Sequence, residues 1–511
     1  MILRISGEIS ASYVQTLCLM LFPGVSFPEG EAEEAGSLCA EVELTPVRTG
    51  RDVTGCRASV RLRCGDRRVE TTHTVPYDSA ASPERAAKIA VGHCFFSAGE
   101  ALFSYRPAWG ILTGVRPAKL ASEYLEKGWS PEEIRALLRR EMLMSEEKAA
   151  LVTDVALFER PFAESTPPDT CSLYVSIPFC PTRCAYCSFV SCTTPRLLSL
   201  IPDYLEKLLS EIRETASVLA ENGLRLETVY VGGGTPSTLD ADALKRLTSG
   251  IRDSFPDARL SEFTVECGRP DTITEEKLRA LKETGVNRIS VNPQTLNDEV
   301  LARIGRKHTT EMFFRAFSLA RDCGIPMINT DLIAGLPGES FKSFSRSVDQ
   351  ILELRPENVT VHTFCVKRSS QWRRDGADVY SREGETASKS VSYSHSQARE
   401  AGYSPYYLYR QKNTVGNLEN VGFCLPGTEG RYNILMMEEL HSVFAVGAGG
   451  VTKLVSPDRK RIERIFSPKY PYEYLEKDAR TTVSPGSRET VRQFFAEETG
   501  REEESDRETE S

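Results

Sequence analysis

Cys180, Cys184 and Cys187 stand in a C-x3-C-x2-C array, which puts three thiols on one short stretch of chain. Three thiolates suit a [4Fe–4S] cluster with one iron left open. An open iron can chelate a small molecule through an amine and a carboxylate, the groups that the methionine end of S-adenosylmethionine (SAM) offers. One-electron reduction of the bound sulfonium would then yield a 5′-deoxyadenosyl radical, with the protein orienting the cofactor and excluding stray hydrogen donors. Two blander readings stand beside this one. The array could be a chance group of buried thiols, or a zinc site completed by Cys171 or Cys192.

The array directly follows an apolar stretch, Leu173–Ile177, that reads as a strand. Five more short apolar runs follow: Thr228–Val231, Glu262–Glu266, Arg288–Val291, Met327–Leu332 and Asn358–His362. Amphipathic stretches separate them, so parallel βα units are expected. The predicted fold class is α/β, with a partial (β/α)6 TIM-like barrel whose active site lies at the C-terminal strand ends. Gly232–Pro236 and Glu266 end the second and third strands on that rim. Glycines there let the backbone approach a ligand, although a lone glycine turn is commonly a plain loop.

The flanks divide the rest. Residues 1–105 read as an α/β extension with a Gly65-Asp66 hairpin turn, and a helix opens at Ser82-Pro83-Glu84. Residues 106–168 read as a helical connector, 169–375 as the barrel, 376–495 as a C-terminal module and 496–511 as a disordered acidic tail.

Tyr174-Val-Ser-Ile-Pro-Phe-Cys180-x3-Cys184-x-Tyr186-Cys187 resembles the radical SAM signature of oxygen-independent coproporphyrinogen III oxidases. Gly232-Gly-Gly-Thr-Pro-Ser237, Glu266, Gln294, Ile304–His308 and Asp331–Gly338 continue the likeness. The flanking WGILTGVRP segment and the run YYLYRQKN…GNLENVG are similar to the HemZ-type branch of that family. The resemblance implies oxidative decarboxylation of coproporphyrinogen III to protoporphyrinogen IX, a tetrapyrrole substrate and a low-potential electron donor. It assigns Tyr174, Gly233 and Glu266 to the cluster-bound SAM. It assigns Tyr186, Gly234, Thr235, Gln294, Arg306, Asp331 and Cys365 to a second SAM. Arg306 suits a carboxylate there, against the alternative of an ordinary surface salt bridge.

Two positions depart from the family pattern. Phe189 stands where well-studied oxidases carry another cysteine, and Ser176 where they carry histidine. Related haem-trafficking members also lack that cysteine, so a haem chaperone and a radical SAM enzyme with another substrate are the rival functions. Lys367, Arg368, Arg373 and Arg374 could meet propionates, or form a solvated basic loop. His308 and His362 read as structural, the tyrosines at 403, 406, 407 and 409 as core, and Cys18, Cys39, Cys56, Cys64 and Cys94 as inert.

The bulk numbers agree with such an enzyme. The net charge of −9 and the absence of a long basic run argue against a nucleic-acid partner. No stretch of apolar residues is long enough to span a membrane. The N-terminus, MILRISGEIS, lacks a secretory signal pattern. The 14 cysteines therefore read as thiols or metal ligands of a cytoplasmic protein, not as a disulfide framework.

Overall fold

The computed structural model describes residues 1–22, 24–28, 38–77, 82–365, 383–411 and 414–496. The basic run at Lys367, Arg368, Arg373 and Arg374 and the tail from residue 497 lie outside the described residues. The chain forms two compact units: Met1–Leu157 with Arg410–Leu418, and Phe158–Tyr409 with Glu419–Ser511. Of the connector expected over 106–168, residues up to Leu157 cluster with the N-terminal residues and those from Phe158 with the second unit.

The first unit holds a four-stranded sheet in the order β1 (Ile2–Ser6), β2 (Cys39–Thr49), β3 (Asp52–Cys64), β4 (Arg67–Pro76). β1 runs parallel to β2, and β2, β3 and β4 are antiparallel. The helices Ala11–Leu21 and Pro83–Phe103 bury Val14, Leu17, Ala90, Cys94 and Phe95 with Val42, Val60 and Leu62 of the sheet. The second helix starts where its cap predicts, with the Ser82 hydroxyl accepting from the Arg85 amide at 3.3 Å. The expected inertness of Cys18 and Cys94 has a physical basis: burial pushes the Cys18 thiol up to about 12 and the Cys94 thiol up to about 11.

The second unit is built on β5 (Thr170–Ile177), β6 (Arg225–Gly233), β7 (Glu262–Glu266), β8 (Arg288–Ser290), β9 (Met327–Ala334) and β10 (Asn358–Thr363). All five neighbouring pairs in this run are parallel. Most residues of these strands are buried, as expected for parallel strands covered by helices. These are the six strands and the α/β partial-barrel fold that the βα alternation predicts.

The residues after 375, expected as a C-terminal module, add strands to both sides of this sheet. β11 (Ser404–Arg410) and β12 (Glu419–Cys424) extend the sheet beyond β10, and β13 (Ser442–Val446), β14 (Val451–Val455) and β15 (Ile462–Phe466) extend it beyond β5. The result is one eleven-stranded open sheet, β11-β12-β10-β9-β8-β7-β6-β5-β13-β14-β15. β13 pairs in parallel with β5, from Ser442 opposite Cys171 to Val446 opposite Val175, and all five of its residues are buried. An uncovered β5 would present unpaired backbone groups and apolar side chains, and β13 removes that exposure.

Candidate active site

The three cysteines follow β5 directly, on a loop closed by the backbone bonds Cys180 N to Cys192 O (3.1 Å) and Cys192 N to Pro178 O (2.9 Å). The glycine turn after β6 is stitched to this loop. The Gly234 amide donates to Ile177 O and the Thr235 amide to Phe179 O, both at 2.8 Å. Side-chain space sets the residue type at 234. A Cβ there would lie 2.6 Å from Phe179 O and 3.0 Å from Cys180 Sγ. Gly233 has φ +109, which a larger residue rarely adopts.

Each thiol has a side-chain partner from its surroundings. Thr235 Oγ1 lies 3.3 Å from Cys180 Sγ, Arg269 Nη1 donates to Cys184 Sγ at 3.7 Å, and Ser191 Oγ lies 3.8 Å from Cys187 Sγ. Burial raises the Cys180 thiol, and the nearby Cys187 and Cys184 raise it further. Three such thiolates repel one another unless cationic metal lies between them. Among the described residues, no three Cys, His, Asp or Glu side chains gather as a single-ion site. A four-iron cluster asks for a wider spread, since each thiolate holds a different iron. Of the two further cysteines considered for zinc, Cys171 lies at the far end of β5, six residues before the strand's C-terminus and so about 20 Å away. Its thiol donates to Arg225 O.

On the rim next to the cysteines, the Tyr230 hydroxyl donates to Glu266 Oε1 at 2.6 Å. Tyr230 stacks between Tyr174 (ring centroids 6.2 Å) and Tyr432 (4.5 Å). Burial pushes the Glu266 carboxyl up to about 7. Asp331, on β9, behaves oppositely. Burial works to raise it, but His362, Asn329 and Thr360 hold it below the usual carboxylate range. Its Oδ2 accepts from Asn292 Nδ2 and its Oδ1 from Asn329 Nδ2, both at 2.7 Å, while His362 Nε2 lies 3.7 Å from Oδ2. Two carboxyls with divided protonation therefore share one rim.

Gln294 carries two unusual features. Its backbone has φ 68, a left-handed conformation that costs a non-glycine residue about 1–2 kcal/mol. Its side-chain oxygen is buried without a hydrogen-bond partner. Backbone bonds from the Gln294 amide to Asp331 O (3.0 Å) and from the Ile333 amide to Gln294 O (2.9 Å) hold this shape against β9. Arg306 is 8% exposed and makes no ion pair among the described residues, contrary to the surface-salt-bridge alternative. It donates to the Tyr186 hydroxyl through Nη2 (3.1 Å) and to Gly268 O through Nη1 (2.8 Å), and among the described residues no carboxylate lies in ion-pair contact with it, Asp271 acting only from farther off. Cys365 follows β10 and is half-buried.

Tyr174, Gly233, Gly234, Thr235, Glu266, Gln294 and Asp331 thus lie at or beside the C-terminal ends of β5 to β9, the rim that carries the cysteine loop. Sequence reasoning missed Tyr230, Asn292 and Arg269, and read His362 as structural. Strand alternation could have found Tyr230, which lies two residues before Gly232 and so on the same face. No sequence signal marks Arg269. Of the departures, the Ser176 hydroxyl donates to Ala448 O at 2.7 Å, so it serves the turn after β13. Phe189 is 63% exposed on the cysteine loop.

The residues fit the group that their pattern implies. Three thiols share one loop, a glycine turn presses against it without room for a side chain, and an unpartnered amide oxygen and an unpaired guanidinium lie on the same rim. Comparison with known proteins places the chain in a family. Residues 174–351 match the model of the radical SAM superfamily. The chain is 41% identical over 375 residues to the oxygen-independent coproporphyrinogen-III oxidase-like protein HemZ of Bacillus subtilis, covering 72% of this chain and 74% of that protein. It is 31% identical to the heme chaperone HemW of the same organism, covering 65% of this chain and 87% of the chaperone. A solved structure of coproporphyrinogen III oxidase HemN from Escherichia coli aligns with a TM-score of 0.46 at 23% identity, covering 59% of this chain and 70% of that one. No helix among the described residues is long and apolar enough to cross a membrane. The chain belongs to the oxygen-independent coproporphyrinogen-III oxidase-like family of radical SAM enzymes, which work with a [4Fe–4S] cluster and S-adenosylmethionine.

Proposed function

We propose that this enzyme decarboxylates coproporphyrinogen III to protoporphyrinogen IX without oxygen. The observation that carries the reading is the union of the cysteine loop, the Gly232–Pro236 turn and Glu266 on one barrel rim, in a chain 41% identical to an oxidase-like relative. Cys180, Cys184 and Cys187 would hold the cluster. When bound, the cluster and SAM supply a 5′-deoxyadenosyl radical. Each of two propionates gives up one hydrogen atom and loses carbon dioxide. One electron leaves to an acceptor and a vinyl group remains.

The chain's own residues bind and orient. Tyr174, Gly233 and Glu266 would seat the reactive SAM, with Tyr230 fixing the Glu266 carboxyl. Tyr186, Gly234, Thr235, Gln294, Arg306, Asp331 and Cys365 are assigned to a second SAM. The unpartnered Gln294 oxygen and the unpaired Arg306 charge support that assignment, since SAM offers an ammonium and a carboxylate. The stacked rings of Tyr174, Tyr230 and Tyr432 form an aromatic column that holds the Tyr230 hydroxyl on Glu266.

The test is anaerobic reconstitution with iron and sulfide, then incubation with SAM, a low-potential reductant and coproporphyrinogen III. Vinyl product with 5′-deoxyadenosine is expected, at about two deoxyadenosines per protoporphyrinogen IX. Changing the three cysteines to alanine should abolish both products and the bound iron. The 31% identity to a heme chaperone, together with Phe189 in place of a further cysteine, supports a second reading as a haem carrier. Stoichiometric haem binding without vinyl product would decide for the carrier, and deoxyadenosine without decarboxylation for another substrate.

A further inference from the structure

Arg269 follows Glu266 by three residues and is 3% exposed. A buried guanidinium is expensive unless its donors are used. Here every donor direction has a partner on the page. Nε donates to Asp271 Oδ1 at 3.1 Å and Nη2 to Asp271 Oδ2 at 3.2 Å. Nη2 also donates to Thr182 Oγ1 at 2.9 Å, and Nη1 to Thr182 O at 3.3 Å and to Cys184 Sγ at 3.7 Å. Thr182 lies between Cys180 and Cys184 on the cysteine loop, so one side chain grips the loop and addresses one of its sulfurs. The partners of the other two thiols, Thr235 and Ser191, are neutral hydroxyls. Cys184 alone among the three receives a charged donor from the described residues.

Hydrogen bonds to ligating sulfurs and nearby charge set the reduction potential of an iron–sulfur cluster. An N–H dipole and a positive charge aimed at a thiolate favour the state that carries one more electron, and the effect is strong where water is excluded. Asp271 offsets part of that charge. We propose that Arg269 is a positioning residue that acts through Cys184 to raise the reduction potential of the cluster, with Asp271 setting how much of its charge the sulfur feels. The inference rests on the proposal that Cys180, Cys184 and Cys187 hold the cluster.

The experiment uses the full chain, reconstituted anaerobically, as the parent protein and as Arg269→Lys, Arg269→Gln and Asp271→Asn. Iron is counted first. The cluster is then titrated against dithionite-poised mediators and read by electron paramagnetic resonance without substrate. At a fixed potential, Arg269→Gln should lower the reduced-to-oxidised ratio about tenfold, which is about 59 mV for one electron. Arg269→Lys should fall between it and the parent protein, and Asp271→Asn should shift the opposite way. Opposite signs exclude a merely loosened loop, which would move both substitutions together. Equal midpoints at equal iron counts overturn the proposal. If Arg269→Gln takes up no cluster, Asp271→Asn leaves the guanidinium in place, and an unchanged midpoint there overturns it as well. A parent protein that binds no iron defeats the cysteine reading itself, and the iron count reveals this before any potential is measured.

Discussion

Gln294 and Glu266 each carry a cost that the proposed site would use: a left-handed backbone and an unpartnered amide oxygen at one, a buried carboxyl at the other. At Gln294 the left-handed backbone and the unpartnered amide oxygen are costs that the fold does not recover within the chain. A ligand that pairs with the amide would recover the second. Gln294→Ala keeps the strained backbone and removes the amide. The affinity of the reconstituted protein for SAM should fall about tenfold, roughly 1.4 kcal/mol, by calorimetric titration. An unchanged affinity would remove Gln294 from the site. Glu266 makes a prediction in pH. Its carboxyl is raised from 4.5 to about 7 by burial, so the folded chain holds that proton more tightly than the unfolded chain. The stability it contributes is fully present below about 4.5 and is lost as pH rises through about 7. Melting temperatures of the protein without SAM should therefore drop more steeply from pH 5 to 8 than those of Glu266→Gln. Parallel curves would show that this carboxyl is not the source.

The elements that matter most are the two rim segments, the cysteine loop after β5 and the glycine turn after β6. They are joined by amide bonds from Gly234 and Thr235, so neither has its shape alone. Gly234→Ala introduces a Cβ against backbone atoms of Phe179 that cannot rotate away. Overpacking of this kind costs about 1–3 kcal/mol. Iron uptake should fall with the melting temperature. Gly486, where a Cβ meets open space, provides the control: Gly486→Ala should leave iron uptake unchanged. Equal iron uptake in the two substitutions would show that the turn does not shape the loop. Much of this level was legible from sequence, because strand-then-glycine and strand-then-cysteine patterns are local. The bonds that tie the two segments are not local. Strand alternation puts Tyr230 on the face of Gly232, but no sequence signal marks Arg269.

At the scale of the whole molecule, the sheet's continuity is the organising fact. β13 lies beside β5, the strand that launches the cysteine loop, and Phe444 on it is fully buried. Phe444→Ala should destabilise the chain by about 3–5 kcal/mol in denaturant unfolding. A chain ending before Ser442 should lose its folded far-ultraviolet signature or aggregate, because the β5 edge is bared. A stable, monomeric barrel from that truncation would disprove the dependence. The sequence alone determined the features that reside in short stretches of chain. The Cys180–Cys187 spacing places three thiols on one short loop, the resemblance of the surrounding motif names the cluster they suit, and the six apolar runs with amphipathic partners specify a parallel α/β sheet through their own periodicity. The return of residues 404–466 to both sides of that sheet was decided only by tertiary structure. SVFAV is a short apolar run whose pairing partner lies some 270 residues earlier in the chain, and nothing in its composition names that partner. The same holds for the opposite shifts of Glu266 and Asp331. A carboxylate's charge is set by the burial and the donors that folding gathers around it, which its neighbours in sequence do not reveal.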